Sequence, residues 1–332
     1  MVGRECEENH EFLQPGEMLV SIAWRSFEAH DHYVGTEYQP QRQSLDNFVI
    51  NHQNLWDLSA TVGIKGPLSI LVDIPYVDNG WSVHLPNSPP LGPRYQQHVE
   101  GLGDIVIEPQ VWLLGAQSHP HTNIQLGLGL KIPTGNDRSS SVYPDKNGQN
   151  PMLKPNDVSI QPGDGGWGID MSMYAYKDLA PLRWFVAAEY LANPRDTNGV
   201  PSIGASINPP SSQPAASLQV NSVPDQYLYR LGFTASIPWV KGLTGMLDVR
   251  DQGVPQRDLI GATDGFRRPG YSISVEPGLT YGWGASSVSL SVPITLVRNR
   301  LPTISAGQTY VGDATFAKDQ VIVSYTRRVK AW

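Results

Sequence analysis

Histidine pairs are the residues of this sequence whose types and spacing could do chemistry. His30-Asp31-His32 would place two imidazoles on one face of a strand, with a carboxylate between them in the sequence. A metal site would need further ligands from other parts of the chain. This stretch lies in a predicted loop between two strands. His119-Pro120-His121 lies in a predicted short turn. Both pairs are therefore interpreted as exposed loop histidines, and neither a metal nor a cofactor is predicted.

Two other patterns bear on catalysis and nucleotide binding. His52 and Asn54 share one predicted strand face and could form part of a site with an activated serine, but no His-x-Ser motif accompanies them. The Gly-rich run from Gly163 to Gly168 lacks the Lys-Ser/Thr pair of a phosphate-binding loop. No catalytic residue is assigned, and an outer-membrane lipid-acting enzyme with His52 in its site stays open as an alternative.

The elements that must position any site are β-strands. From Ser287 to Leu296, apolar residues alternate strictly with serine, proline and threonine, so a strand here has one apolar and one polar face. Ten residues of alternation match a tilted membrane-spanning strand of about 9 to 11 residues, whereas soluble strands usually have about 5 to 6. An open sheet edge cannot lie in hydrocarbon, so the other strands must close a barrel.

Similar segments recur along the chain and predict twelve strands. They are Glu17 to Glu28, Phe48 to Ile64, Pro67 to Val77, Gly103 to Leu114, Asn123 to Ile132, Trp167 to Lys177, Leu182 to Leu191, Tyr227 to Trp239, Leu243 to Arg250, Tyr271 to Tyr281, Ser287 to Leu296 and Gln320 to Lys330. Short turns alternate with longer loops, as in outer-membrane barrels. The predicted fold is all-β: a transmembrane antiparallel up-and-down β-barrel of about twelve strands, with a flexible segment at residues 1–16 and a single barrel domain at 17–332.

Composition agrees with this fold and narrows the partners. The 32 glycines and 28 prolines indicate many turns, and the net charge of -7 disfavours nucleic acid. Cys6 has no cysteine partner, so no internal disulfide can form. No apolar segment follows Met1, so we expect the sequence to be a mature or truncated form of a protein that is exported with a signal peptide.

Aromatic residues on the outward parity give an independent indication of two membrane interfaces. Trp184, Trp239 and Trp283 lie near predicted short turns. Tyr76, Tyr190, Tyr227 and Tyr271 lie near predicted long loops. Aromatic girdles at both interfaces are typical of outer-membrane barrels.

Charged residues are predicted at two levels of the barrel. The inward parity carries both signs, which can pair across a lumen and either stiffen the barrel or guide a solute: Arg25, Asp57, Asp73, Glu108, Lys131, Asp170, Arg183, Glu189, Arg230, Asp248, Arg250 and Glu276. A second set lies at the predicted outer ends of the strands and could either form a binding mouth or order the loops: Asp104, Arg195, Asp196, Arg257, Asp258, Arg267 and Arg268.

Two motifs one hairpin apart resemble a known family. Gly101-Leu102-Gly103-Asp104-Ile105 and Leu128-Gly129-Leu130-Lys131-Ile132-Pro133-Thr134-Gly135 are similar to the paired GLGD and K-x-PTG signatures of the MetA-pathway phenol-degradation family of outer-membrane proteins. Shorter stretches at residues 161–169, 193–199 and 264–281 look similar to its later blocks. The parity of Trp332 departs from the usual C-terminal pattern of outer-membrane barrels.

This resemblance implies a bacterial outer-membrane barrel that takes up aromatic or other small apolar compounds. The sequence is accordingly interpreted as a channel or transporter rather than an enzyme. The expected partners are outer-membrane lipids, a small-molecule solute and the barrel-assembly machinery. A structural or surface-interaction barrel without transport remains a further alternative.

Overall fold

The chain forms a closed β-barrel. A computed structural model describes residues 12–116 and 118–330, and over these residues the barrel has twelve strands, three of which consist of two segments. In chain order they are β1 (Glu17–Val34), β2 (Ile50–Lys65), β3 (Leu68–His84), β4 (Arg94–Leu102 and Ile105–Trp112), β5 (Thr122–Ile132), β6 (Gly168–Leu179), β7 (Leu182–Ala192), β8 (Gln226–Ser236), β9 (Leu243–Val254), β10 (Gly270–Trp283), β11 (Ser286–Ser291 and Ile294–Arg300) and β12 (Ala314–Ala317 and Val321–Lys330).

Each strand pairs antiparallel with the next strand in the chain, and β12 pairs with β1 to close the sheet. Glu17 pairs with Lys330, so β1 begins and β12 ends at the same end of the barrel as the short turns. We call this the inner end and the end with the long loops the outer end, because the longer loops of such barrels are extracellular. The predicted all-β up-and-down barrel of twelve strands is confirmed.

Small elements fold over the outer end. They comprise the helices Pro40–Ser44 and Ile203–Ile207, the 3-10 helices Val158–Ile160, Pro210–Ser212 and Ala216–Leu218, the strand Glu37–Tyr38, and three hairpins, Ser140–Tyr143 with Met152–Pro155, Thr197–Pro201 with Val220–Ser222, and Thr303–Ser305 with Gln308–Tyr310. Tyr143, Ile160 and Ile203 pack with Trp81 of β3 in a buried apolar cluster. Among the described residues, no helix is long and apolar enough to cross a membrane.

The period of two along the strands separates an apolar outer surface from a polar interior. In β5, Leu128 and Leu130 are 63% and 52% exposed on the outside, whereas Gln125 and Lys131 are buried on the inside. The same alternation in the other strands produces the lipid-facing surface that a transmembrane barrel requires. Trp184, Trp239, Trp283 and Tyr76 are among the exposed outward aromatic side chains.

Several strands extend further at the outer end than the sequence pattern predicted. β1 continues to Val34 and β3 to His84, and the predicted loop from Asp78 to Leu102 is largely a hairpin in which Gly80 pairs with His98. The outward residues of these extensions, such as Asp78, His98 and Glu100, are polar. Because no lipid faces them, both sides of the extension tolerate polar residues and the apolar alternation that identifies a membrane strand is absent.

The predicted strand from Ser287 to Leu296 has the expected faces but is interrupted. β11 breaks between Ser291 and Ile294, where Pro293 has no N–H to donate to a ladder. The first segment of β11 pairs with both β10 and β12, whereas the second pairs with β10. In β12, the register from Val321 to Lys330 is continuous against β1. Trp332 lies outside the described residues.

The described end of the predicted flexible segment is packed rather than extended. Leu13 is 4% exposed, and the backbone N–H of Gly16 donates to the Gly63 carbonyl of β2 at 3.0 Å. A Cβ on Gly63 would contact Leu13 and the Gln14 carbonyl too closely, so β2 has a glycine where the chain crosses it. Residues 12–16 are therefore packed against β2, while residues 1–11, including Cys6, lie outside the described range.

Candidate solute-binding cavity

The charged residues of the inward parity lie mostly inside the barrel. Arg230 is 11% exposed at its side chain, and ten others are buried: Arg25, Asp57, Asp73, Glu108, Lys131, Asp170, Glu189, Asp248, Arg250 and Glu276. Arg183 does not join this group, because its side chain is 46% exposed at the inner end and pairs with Asp178 of the β6–β7 hairpin at 2.6 Å. It lies there because β7 begins one residue before it, at the inner turn.

Arg230, Asp248, Arg250 and Glu276 form an ionic cluster across β8, β9 and β10. The Arg230 guanidinium lies 2.7 Å from Asp248 and 3.6 Å from Glu276, and Arg250 lies 3.4 Å from the other oxygen of Glu276. Ser291 donates to Glu276 at 2.6 Å. Cross-strand neighbours on one face of a sheet are close enough for such pairing. The ionic cluster therefore fills this side of the lumen with paired charges.

Glu108 of β4 fills the opposite side of the lumen. Its carboxylate accepts hydrogen bonds from Gln110 at 2.9 Å and from Ser172 at 2.8 Å. A Cβ on Gly127 of β5 would overlap the Glu108 carboxylate and the Ser172 hydroxyl, so a glycine is needed there. Gln125 extends the network by donating to Gln110 at 3.4 Å.

Aromatic side chains also occupy the lumen near the inner end, which the sequence analysis did not predict. The rings of Trp112 and Phe185 each have their centroid 6.3 Å from that of Tyr174. The guanidinium of Arg230 lies 5.7 Å from the Phe185 ring centroid and so links this group to the ionic cluster. The alternation along these strands is enough to place the three rings inward, but the sequence analysis interprets aromatic residues only as membrane-interface residues.

The outer half of the barrel holds a cavity of about 410 Å³. Four of the predicted lumen residues line it, namely Arg25, Asp57, Asp73 and Lys131. Aromatic and aliphatic side chains form much of its wall, including Phe27, Leu55, Val77, Trp81, Phe266 and Phe316. A concave site of mixed apolar and polar character is typical of small-molecule binding.

Residues 157–161, which we call the roof strap, cross above this cavity. Asn51 donates to the Ser159 hydroxyl at 2.9 Å, and Gln53 donates to the Ser159 carbonyl at 3.0 Å, which attaches the strap to β2. On the other side, Arg268 donates to both oxygens of Asp157 at 2.8 and 2.7 Å. Strand β2 and the loop that precedes β10 are thus linked over the cavity through one short segment.

An ion pair between Asp157 and Arg268 holds the roof strap over the cavity. Burial alone would raise the pKa of Asp157, but the charge and hydrogen bonds of Arg268 outweigh it and hold that pKa below its usual range. Asp313 behaves in the same way. Burial would raise its pKa, but the hydrogen bond from His32 and the charge of Arg42 lower it. Both carboxylates are therefore ionised at neutral pH.

The predicted mouth residues make individual loop contacts. Arg267 pairs with Asp258 at 2.5 Å, and Asp196 accepts from the Ala262 backbone N–H at 2.6 Å. Arg195 donates to the carbonyls of Thr197 and Gly165 at 2.8 and 2.6 Å.

The remaining mouth residues differ in their relation to the cavity. Asp104 lines it beside Lys131, whose ammonium lies 3.6 Å away and also contacts Asp164. Arg267 and Arg268 line the cavity as well, whereas Arg257 is exposed.

The histidine patterns are dispersed. His32 is buried in β1 and bonds to Asp313 at 2.9 Å, while His30 lies beside Glu28. Asn54 and His52 are 3.0 Å apart on the outward face of β2. His119 contacts the adjacent Ser118 hydroxyl, and His121 contacts Asp178. The described part of the chain holds no group of three or more His, Cys, Asp or Glu side chains placed to hold a metal ion.

Comparisons with known proteins support the fold. No protein-family model and no curated protein matches the chain. Among solved structures, an outer-membrane channel from Pseudomonas putida F1 is similar, with a TM-score of 0.58 and 12% identity over 97% of this chain and 98% of that chain.

Weaker similarity extends to other solved outer-membrane proteins. A Pseudomonas aeruginosa FadL homologue has a TM-score of 0.42 and the Ralstonia pickettii toluene transporter TbuX one of 0.43, each at 10% identity over 95% of this chain and 90% of theirs. Identities this low show the fold alone, and the two lower scores add no argument. A closed barrel with an apolar outer surface and this fold is an outer-membrane protein, so the predicted location is confirmed.

Proposed function

We propose that the protein is an outer-membrane channel that takes up small, uncharged molecules with apolar or aromatic groups. The observation that carries this proposal is the cavity of about 410 Å³ in the outer half of the lumen, with Phe27, Trp81, Phe266 and Phe316 in its wall. Burying an apolar solute there gains roughly 25 cal/mol per Å² of surface removed from water. Membership of the MetA-pathway family, with uptake of aromatic compounds, is the finer form of the proposal.

The interior divides the path into two stages. A solute enters the cavity beneath the roof strap and is held among apolar side chains. Further passage leads through the inner half, where the ionic cluster and Glu108 are buried and hydrogen bonded. Such an interior disfavours free flow of hydrated ions, and it supports selective transfer of small neutral molecules over general diffusion. Outer-membrane lipids around the barrel and the assembly machinery that inserts it are proposed partners.

Liposome swelling tests the proposal. Refolded protein in vesicles is exposed to aromatic solutes and to sugars of similar size, with protein-free vesicles as the blank. Faster swelling with the aromatic solutes is expected. Equal swelling with sugars would indicate an unselective pore, and no swelling with any solute by a folded barrel would leave the structural or surface-interaction alternative.

The lipid-acting enzyme has a separate test. The partner of His52 is Asn54 rather than a serine, and both lie on the outward face of β2. Lipid hydrolysis by the refolded barrel, abolished in His52→Ala, would establish the enzyme. We expect no hydrolysis by either protein.

A further inference from the structure

Side-chain amides are a recurring feature of the cavity wall that the proposed function does not explain. A pocket for bare hydrocarbons would need no hydrogen-bonding lining. This cavity is nevertheless lined by amides from several strands and from the roof strap, among them Asn51, Gln53, Asn79, Gln161, Gln252 and Gln320.

Three of the six amides named above form their hydrogen bonds within the protein itself. Gln161 donates to the carbonyls of Ser139 and Asn156, both at 3.1 Å. Asn79 accepts from the Asn54 backbone N–H at 3.2 Å. Asn51 donates to Ser159 and accepts from Gln53 at 3.3 Å. These groups hold the roof strap and the outer parts of β2 and β3, so their role is structural.

The other three amides have hydrogen-bonding atoms left over. Within the described part of the chain, Gln53 uses its amide N–H groups but has no donor to its side-chain oxygen, and Gln252 accepts from Arg250 at 2.9 Å but has no acceptor for its own N–H groups. Gln320, 3% exposed, has a buried side-chain oxygen without a partner in that same part of the chain. A buried amide of this kind costs free energy unless something else satisfies it.

The three amides come from different parts of the wall and lie around apolar rings. Gln53 is on β2, Gln252 is on β9, and Gln320 directly precedes the inner segment of β12. Phe27 of β1 and Phe316 of β12 lie in the wall on the β2 and β12 side. A ligand in the cavity therefore meets aromatic rings together with hydrogen-bond donors and acceptors.

The charged groups at the cavity are largely engaged with one another. Arg267 pairs with Asp258, Arg268 with Asp157, and Lys131 with Asp104 and Asp164. A charged ligand would have to displace one of these pairs and would be desolvated without compensation. The lining thus favours a ligand without net charge.

From these contacts, and resting on the proposed function, we infer that the cavity selects uncharged ring compounds that carry hydrogen-bonding groups, such as a hydroxyl or carboxamide, over the bare hydrocarbons of the same size. Gln320, with Gln53 and Gln252, is the specificity-determining element. The apolar rings contribute affinity for both kinds of compound, whereas the amides contribute affinity only for the compounds that carry hydrogen-bonding groups.

Calorimetric titration of the full-length barrel in lipid nanodiscs tests the inference, with toluene, benzyl alcohol and benzamide as probes and empty discs subtracted. We expect benzyl alcohol and benzamide to bind about tenfold more tightly than toluene, since one or two net hydrogen bonds correspond to roughly that factor. Gln320→Met, which keeps length and removes the hydrogen-bonding atoms, should reduce this preference roughly three- to tenfold. Gln53→Met is a second variant at a separate position.

The matched control is Gln96→Met, because Gln96 is exposed on the outer surface of β4 and does not line the cavity. Its preference should equal that of the original protein. Equal or tighter binding of toluene, or a preference that neither cavity variant lowers in a folded barrel, would overturn the inference while leaving the channel intact. If no probe binds and none causes vesicle swelling, the proposed function itself is wrong and the inference fails with it.

Discussion

The carboxylate of Glu108 can lie inside the lumen because its neighbour on β5 has no side chain. The space is taken from Gly127, and a methyl group there would overlap both Glu108 and Ser172. Gly127→Ala should therefore destabilise the barrel by about 1 to 3 kcal/mol, the usual cost of overpacking. Denaturant unfolding of the refolded protein in lipid measures this change.

Gly245→Ala is the matched control for that substitution. Gly245 also lies within a barrel strand, but the nearest atoms to a Cβ there are 3.9 Å away, which leaves room for the methyl group. A loss of stability as large as that of Gly127→Ala would mean that the effect comes from strand glycines in general rather than from the Glu108 pocket.

The Asp157–Arg268 pair gives the roof strap a pH dependence. The pKa of Asp157 is lowered in the folded protein, so its stabilising effect is fully present above the unfolded pKa of about 3.9 and is lost as pH falls through the folded value. Amide hydrogen exchange of residues 157–161, corrected for intrinsic rates, should be slow at neutral pH and accelerate below about pH 4.

Asp157→Asn should accelerate this exchange already at neutral pH, because it removes the charge of the buried carboxylate and leaves Arg268 without its charged partner. Asp145→Asn is the control, since Asp145 bonds within its own turn and does not contact the roof strap. Unchanged exchange in Asp157→Asn would contradict the claim that the Asp157–Arg268 ion pair holds the roof strap in place.

At the scale of elements, the sequence predicts the strand segments that face lipid and misses the strand segments that face water. Outward apolar residues identified twelve strands, because a lipid-facing position such as Leu128 must be apolar. The outer extensions of β1, β3 and β4 escaped prediction because water bathes their outward side, leaving polar residues such as His98 acceptable. The break in β11 was signalled by Pro293, but the alternation continues through it and conceals it.

Only the charged residues of the cavity were predictable from the sequence, because the side of the sheet on which a residue may lie depends on its polarity. A charge in a membrane strand must face inward, so parity was enough to locate residues such as Asp57 and Glu276. An aromatic or an amide can face either way at the interfaces and in the outer extensions. Trp81, Gln53 and the roof strap therefore required the three-dimensional packing.

The boundary between lipid and water along the strands can be tested with one substitution at two heights. Leu128→Arg should destabilise the barrel by about 2 to 4 kcal/mol, the cost of arginine near the bilayer midplane. The same change at Gln96, on the outward face of the β4 extension, should alter stability by less than about 0.5 kcal/mol. Unfolding in lipid vesicles measures both, and equal effects would place the two positions in the same environment.

At the scale of the whole molecule, the lumen is divided into an outer cavity and a filled inner half. Planar-bilayer recordings should therefore give a small conductance. The double variant Arg250→Ala/Glu276→Ala should increase the conductance several-fold. It removes both charges of the pair, so neither charge is left buried without its partner. Arg183→Ala at the exposed inner end should have little effect, and an unchanged double variant would mean that the ionic cluster does not limit the current.

The filled inner half also bears on how much of this protein a cell can carry. Every open pore in an outer membrane admits antibiotics and toxic salts together with nutrients, so the tolerable number of wide pores is limited. A barrel whose interior is occupied by paired side chains adds little to that leak. Under the proposed function, many copies could therefore serve uptake without weakening the envelope as a barrier.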